Sequence, residues 1–236
     1  MAATLLAAYR GSMALVTFKN LCIDANDVSA ISGFWSQSLH LPVEPLDDGE
    51  ALLRGIDESR TVWINRVPEP REVKNRVHLD LWAASLEPFA GLEQVSGDEL
   101  PWTTFTDPEG NQFCVFVDAD RAPGLKDVEV DSVDHAAIAA WWADVWGGTL
   151  QHDLEHDYSY IDDIPGAPVE AFDFAPVPEA KTVKNRFHWD VTLLDGATVD
   201  DLVAVGATVL AAPNSRDRWT VMADPEGNEF CVFALE

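Results

Sequence analysis

Hydrophobic and polar positions alternate over Leu15–Ile23, the period of a half-buried strand, and the period then changes. Val28, Ile31, Phe34 and Trp35 fall at helical spacing behind Asp27, which is placed to cap a helix running to about Leu39. Short strands are predicted at Glu50–Arg54 and Thr61–Arg66, and a second strand–helix unit opens with strand Arg76–Trp82 and closes with strand Gln112–Val117. The succession then recurs as strand Asp127–Val130, helix Asp134–Trp146 and strands near Tyr158–Ile161 and Glu170–Phe174. It ends with strand Arg186–Thr192, helix Val199–Val205 and strands near Thr208–Ala211, Thr220–Met222 and Glu229–Phe233. The pattern predicts an α+β protein of four strand–helix–strands units.

The units are copies. Val73–Asp80 recurs as Val183–Asp190 at six of eight positions, and Thr106–Phe116 recurs as Ala223–Phe233 at nine of eleven. Asp24, Asp27, Phe34 and Trp35 correspond more loosely to Asp131, Asp134, Trp141 and Trp142. Self-similarity at this spacing marks a duplication. The expected organisation is a tail over residues 1–14, one domain over 15–120 and a second over 127–236, with Pro123-Gly124 as linker. Whether the units pair within each half or across the halves stays open.

In Arg76–Trp82, Val77, Leu79 and Leu81 point one way, and Arg76, His78, Asp80 and Trp82 the other. The copy sets Phe187, Trp189 and Val191 against Arg186, His188, Asp190 and Thr192. A His and an Asp two apart on one sheet face can orient an imidazole, raise its basicity or join a metal site, or form a purely structural pair. Cys114 and Cys231 lie on mixed strand faces, as inert small hydrophobes, soft ligands or thiols. Asp-Pro-Glu-Gly-Asn is turn chemistry in both halves. Trp35, Trp141, Trp142 and Trp146 read as core. Trp82, Trp102 and Trp219 lie near acidic groups and suit a flat or cationic ligand. Gln151–Asp157, with His152 and His156, reads as a solvated loop, and His40 and His135 carry no assigned role.

Taken together, Asn-Arg-x-His-x-Asp, Phe-Trp in a helix and Asp-Pro-Glu-Gly-Asn-x-Phe-Cys-Val resemble the glyoxalase-like and bleomycin-resistance branch of the vicinal oxygen chelate superfamily, once per half. The resemblance implies paired βαβββ modules forming cup-shaped sheets. It implies metal positions at module-start strands and on the final strand. These fall on Asn20, His78 and Cys114 in domain 1, with Asn65 as a further position. In domain 2 they fall on Asp127, His188, Cys231 and Asp173. Neither set matches the His- and Glu-rich sets of a Lewis-acidic centre, so the first expectation is a protein that binds or sequesters a small molecule without a catalytic metal. The alternative is a metal-dependent lyase, isomerase or dioxygenase using Zn, Ni, Fe or Mn in domain 2, or a metal-free site with His78 or His188 as base beside Asp80 or Asp190. One half could also serve only as scaffold. The expected ligand contacts are Arg76, Trp82 and Cys114 in one cup and Arg186, Trp219 and Cys231 in the other.

Composition narrows the partners. The 236 residues carry a net charge of −26, which disfavours nucleic acid and anionic membrane surfaces and mildly favours a cationic or polar ligand. Three cysteines without short spacing argue against a disulfide framework. With no apolar run of membrane-spanning length and no leader-like start, the expectation is a cytoplasmic protein. It would be a monomer acting as a pseudo-dimer, or a homodimer.

Overall fold

The computed structural model describes residues 14–96, 99–215 and 217–235, so the expected tail lies outside the described residues except for Ala14. The first half supplies β1 (Val16–Ala25), α1 (Val28–Leu39), β2 (Val43–Pro45), β3 (Ala51–Leu53), β4 (Val62–Arg66), β5 (Val77–Ala83), β6 (Thr103–Thr106) and β7 (Gln112–Val117). The second supplies β8 (Gly124–Ser132), α2 (His135–Trp146), β9 (Thr149–Asp153), β10 (Tyr158–Asp162) and β11 (Ala171–Pro176). It continues with β12 (Phe187–Leu193), α3 (Val199–Ala204), β13 (Thr208–Ala211), β14 (Thr220–Ala223) and β15 (Glu229–Phe233). Among the described residues no helix is long and apolar enough to cross a membrane.

The strands form two sheets, in the orders β13-β14-β15-β12-β1-β4-β3-β2 and β6-β7-β5-β8-β11-β10-β9. The central pairs, β1 with β12 and β5 with β8, are antiparallel and join one half to the other. The first module therefore completes its sheet with the fourth, and the second with the third. Among the described residues neither half holds a sheet of its own.

Alternation explains the layering. Leu21 and Ile23 of β1 and Phe187, Trp189 and Val191 of β12 turn to a core shared with the helices, and their neighbours in sequence turn to the opposite face. Trp35 of α1 packs edge-on against Phe113 of one sheet and Phe187 of the other, at 5.4 and 5.8 Å between ring centroids. Trp142 and Trp146 of α2 stack at 4.2 Å and meet Trp189. All four tryptophans are completely buried, so each ring adds a few kcal/mol, roughly, to the union of the sheets.

The repeated turn is a long-range helix cap. Asp107 Oδ1 accepts from the Glu109 and Asn111 amides, while its Oδ2 takes the Trp35 indole N–H at 3.2 Å. Glu109 then accepts from the Asp27 amide at 2.6 Å, and Asp27 caps Ala30. Asp224, Trp142, Glu226, Asp134 and Ala137 repeat this in the second half, where Glu226 also accepts from Ser132 and the Val133 amide. Gly110 and Gly227 take φ of 79° and 89°, the left-handed region the turn requires.

The structure corrects four details. The helix expected between β5 and β7 is only a 3-10 turn at Glu87–Phe89. Pro88 lies in the first turn, where proline is tolerated, but Gly91 follows two residues after Phe89 and disfavours continuing the helix, while Phe89 packs on Phe105 and Phe113. Strands β2 and β6 were not foreseen. Gln151–Asp153 belongs to β9 rather than to a loop, and Gly124 opens β8 rather than serving as linker.

Candidate functional site

The β5–β8 pairing builds the richer of two cups. It sets His78 opposite Glu129 and Asp80 opposite Asp127, while β7 brings Cys114 beside Asp80 and β11 brings Asp173 beside Glu129. All six side chains face away from the core because Val77, Leu79, Val128, Phe172 and Phe174 face into it. His78 Nε2 lies 3.6 Å from Glu129 and 4.0 Å from Asp80. One oxygen each of Asp80, Asp127 and Asp173 lies within 4.8 Å of the other two, and His78, Asp80 and Cys114 form a second group of the same tightness. Asp80 and Asp127 are only 2% exposed and His78 6%, and among the described residues Asp80 Oδ1 and His78 Nδ1 have no hydrogen-bond partner.

A bulge in β8 skips Lys126 from the ladder and lets its ammonium pair with Asp127. The same ammonium sits 4.6 Å from the centroid of Phe116 and 5.4 Å from that of Trp82. Trp82 and Trp102 both pack on Phe116, and the Arg121 guanidinium covers Trp82 at 4.4 Å. An aromatic wall with two cations thus borders the acidic floor.

The other cup is built the same way with different residues. In register, Asn20 stands where the first cup has Asp127, Cys22 where it has Glu129, and Trp63 where it has Asp173. His188, Asp190 and Cys231 repeat His78, Asp80 and Cys114. Lys19 is again skipped by a bulge and lies over Phe233, on which Trp219 stacks. Three carboxylate positions have been replaced by an amide, a thiol and an indole.

Both metal sets implied from sequence are therefore divided. Asp127 and Asp173 lie in one cup and His188 and Cys231 in the other, and Asn20 is likewise apart from His78 and Cys114. The cause is the cross-half pairing. Asn65 is not the equivalent of Asp173; it lies one pleat further along β4 and donates to Asp24 at 3.4 Å. Arg76 and Arg186 leave the cups altogether: each guanidinium donates across to the opposite half, to the carbonyls of Glu179 and Glu69.

The glyoxalase-like domain family matches residues 20–116 and again 127–233. The chain belongs to that family, in two tandem copies. Among curated protein sequences, none matches this chain. Glyoxalase I from Zea mays has the same fold at a TM-score of 0.68 and 12% identity, with 92% of each chain covered. The cppA protein from Streptococcus pneumoniae TIGR4 follows at 0.53 and 11%, with 93% of this chain and 100% of that one covered. Identities this low show the fold alone, here that of the vicinal oxygen chelate superfamily.

Within this glyoxalase-like chain the two cups differ electrically. Burial raises Asp80 to about 7 and Asp173 to about 8, reinforced in each case by the neighbouring carboxylates and opposed at Asp80 by His78 and then Lys126, and at Asp173 by Lys126. Burial also raises Asp127, against the ion pair with Lys126. Burial would lower the His78 imidazole, but Glu129, Cys114 and Asp80 together hold it well above its ordinary value; Glu129 is lowered in return, against its own burial. In the other cup burial raises Asp190 to about 6, opposed by His188 and by hydrogen bonds with Cys22 and Cys231. Burial likewise raises all three thiols, so none is a poised nucleophile.

Glu129 was the residue missed from sequence. Its signal was present: Asp127, Glu129 and Asp131 alternate with Val128 and Val130 as cleanly as His78 and Asp80 alternate with Val77 and Leu79.

Proposed function

We propose that the cup on the β5–β8 sheet is a divalent-cation-dependent site for a small molecule, and that the other cup is its scaffold. The observation that carries the reading is the convergence of Asp80, Asp127 and Asp173 around the unpartnered Asp80 Oδ1. With Glu129 the floor brings four carboxyl groups together beside Lys126 and His78, and Asp80 and Asp173, raised to about 7 and about 8, would give up their protons to a bound cation. A carboxylate-rich set with one imidazole and one thiol nearby suits Mn, Fe or Zn rather than a soft ion. This departs from the metal-free reading favoured by sequence, because that reading counted the donors of each half separately.

The donors fit the cation: Asp80, Asp127 and Asp173 would hold it, with His78 alongside. When bound it would supply Lewis-acid polarisation of a ligand oxygen. His78 holds a proton between Glu129 and Asp80 and can deliver it to, or take it from, a bound molecule. Trp82, Trp102 and Phe116 supply an aromatic wall along one side, faced by Arg121 and Lys126.

Metal-free binding of a flat molecule, as in sequestering proteins of the bleomycin-resistance type, is a second reading favoured by that aromatic wall. Titration of chelator-treated protein with Mn²⁺ separates the two. One saturable equivalent, weakened about a hundredfold or more in Asp80→Asn and Asp173→Asn, supports the cation site. Absence of saturable binding in the wild type sinks it and leaves the metal-free wall.

A further inference from the structure

Away from both cups, the chain before β5 and the chain before β12 face each other across the seam between the halves. Together, residues 69–76 and 183–186 line a cavity of about 170 Å³. Five of the chain's 15 basic residues lie on it: Arg71, Lys74, Arg76, Lys184 and Arg186. In a protein of net charge −26 that concentration is an anomaly requiring a cause.

Lysine charges there are already balanced, since Lys74 pairs with buried Asp131 and Lys184 with buried Asp24. The arginines are different. Arg186 is 5% exposed, and its Nη2 is used by Asn26 and the Glu69 carbonyl, both neutral acceptors. Among the described residues no carboxylate lies within 4.0 Å of the Arg186 or Arg71 guanidinium, and Arg76 has only Glu226 at 3.9 Å. Glu69 and Glu72 also line the cavity, but their side chains are exposed and make no ion pair there among the described residues. Among the described residues Arg186 Nη1, Arg76 Nε and Arg71 Nε are each buried without a hydrogen-bond partner. A buried guanidinium without counter-charge is costly, and three orphan charged donors around one cavity need an acceptor.

We propose that this seam cavity binds a phosphate-type oxyanion, free or as the phosphoryl group of a small monoester. Guanidinium donors arriving from three chain positions suit an anion with three or more acceptor oxygens and nearly two negative charges. The bound anion ties residues 69–76 of one half to Arg186 of the other. The site is independent of the cation reading for the acidic cup.

Calorimetric titration of chelator-treated protein with inorganic phosphate, at constant ionic strength set with chloride, tests it. The wild type takes up one saturable equivalent. Arg71→Ala removes a side chain that makes no hydrogen bond among the described residues, so folding is preserved, and it weakens binding about tenfold or more. Arg186→Lys, which keeps the charge but loses the fork, weakens it similarly. Glycerol phosphate in a second titration decides between the sources: binding equal to inorganic phosphate identifies a monoester site, and exclusion of the ester identifies free phosphate. No saturable uptake of either by the wild type overturns the proposal. Unchanged affinity in Arg71→Ala overturns it too, whether or not Arg186→Lys folds.

Discussion

Replacing Asp190 by Asn should make the protein more stable, and only above a definite pH. Asp190 is 5% exposed and faces His188, Cys22 and Cys231 rather than a basic side chain at ion-pair distance. Its carboxyl is raised from 3.8 to about 6, chiefly by burial. The folded state therefore holds this proton more tightly than the unfolded chain. The corresponding stability is complete below pH 3.8 and is lost as the pH rises through about 6. A shift of that size corresponds to at most about 3 kcal/mol, and local relaxation reduces it, so about 1–3 kcal/mol is expected. Asn keeps the shape and one thiol acceptor without the charge. Urea unfolding at pH 8 should show Asp190→Asn more stable by that amount, about 2–4 °C in Tm per kcal/mol. The advantage should shrink to nothing near pH 4. An advantage that persists unchanged at pH 4, or a variant weaker than wild type at pH 8, would refute the view that this cup holds a carboxylate without a use for its charge.

Other consequences are open to simple assays. Glu226 accepts three hydrogen bonds at the start of α2 and Glu109 one at the start of α1, so Glu226→Ala should cost about 2 kcal/mol or more and Glu109→Ala about 1 in thermal unfolding. Equal costs would count against the turn as a helix cap. Cys22, Cys114 and Cys231 are buried with raised pKa values, so a thiol reagent at pH 8 should modify them only as the protein unfolds. Rapid stoichiometric labelling of folded protein would contradict that. Because β1 needs β12 and β5 needs β8, residues 1–122 and 123–236 made separately should not give stable folded monomers, and mixing them should restore a one-to-one complex in sedimentation. A cooperatively folding monomer of either half would contradict the interlocked topology.

Much of this architecture is written in local sequence. The alternation of Val77, Leu79 and Leu81 with His78, Asp80 and Trp82 fixes which side chains enter a cup, and the near-identical turns at Asp107 and Asp224 reveal the duplication. Partnership between strands is another matter. Nothing in the alternation of β5 says whether β8 or β1 lies beside it, since both present a compatible face. The grouping of Asp127 with His78 instead of His188 therefore emerges only from the pairing, and with it the whole acidic floor. The same holds for Trp63, which stands one pleat from Asn65, the position the family resemblance implied. Arg76 and Arg186 share parity with the cup residues, yet their length carries their heads across the seam. The helix expected between β5 and β7 shortens to Glu87–Phe89, although its counterpart α3 forms in the second half.

The acidic floor is tested most directly by diffraction from crystals soaked in Mn²⁺, recorded where manganese scatters anomalously. One strong anomalous peak is expected, bounded by Asp80, Asp127 and Asp173 and absent in Asp173→Asn, with no peak between Cys22, His188 and Asp190. A wild-type crystal saturated with Mn²⁺ and without that peak would contradict the cation site.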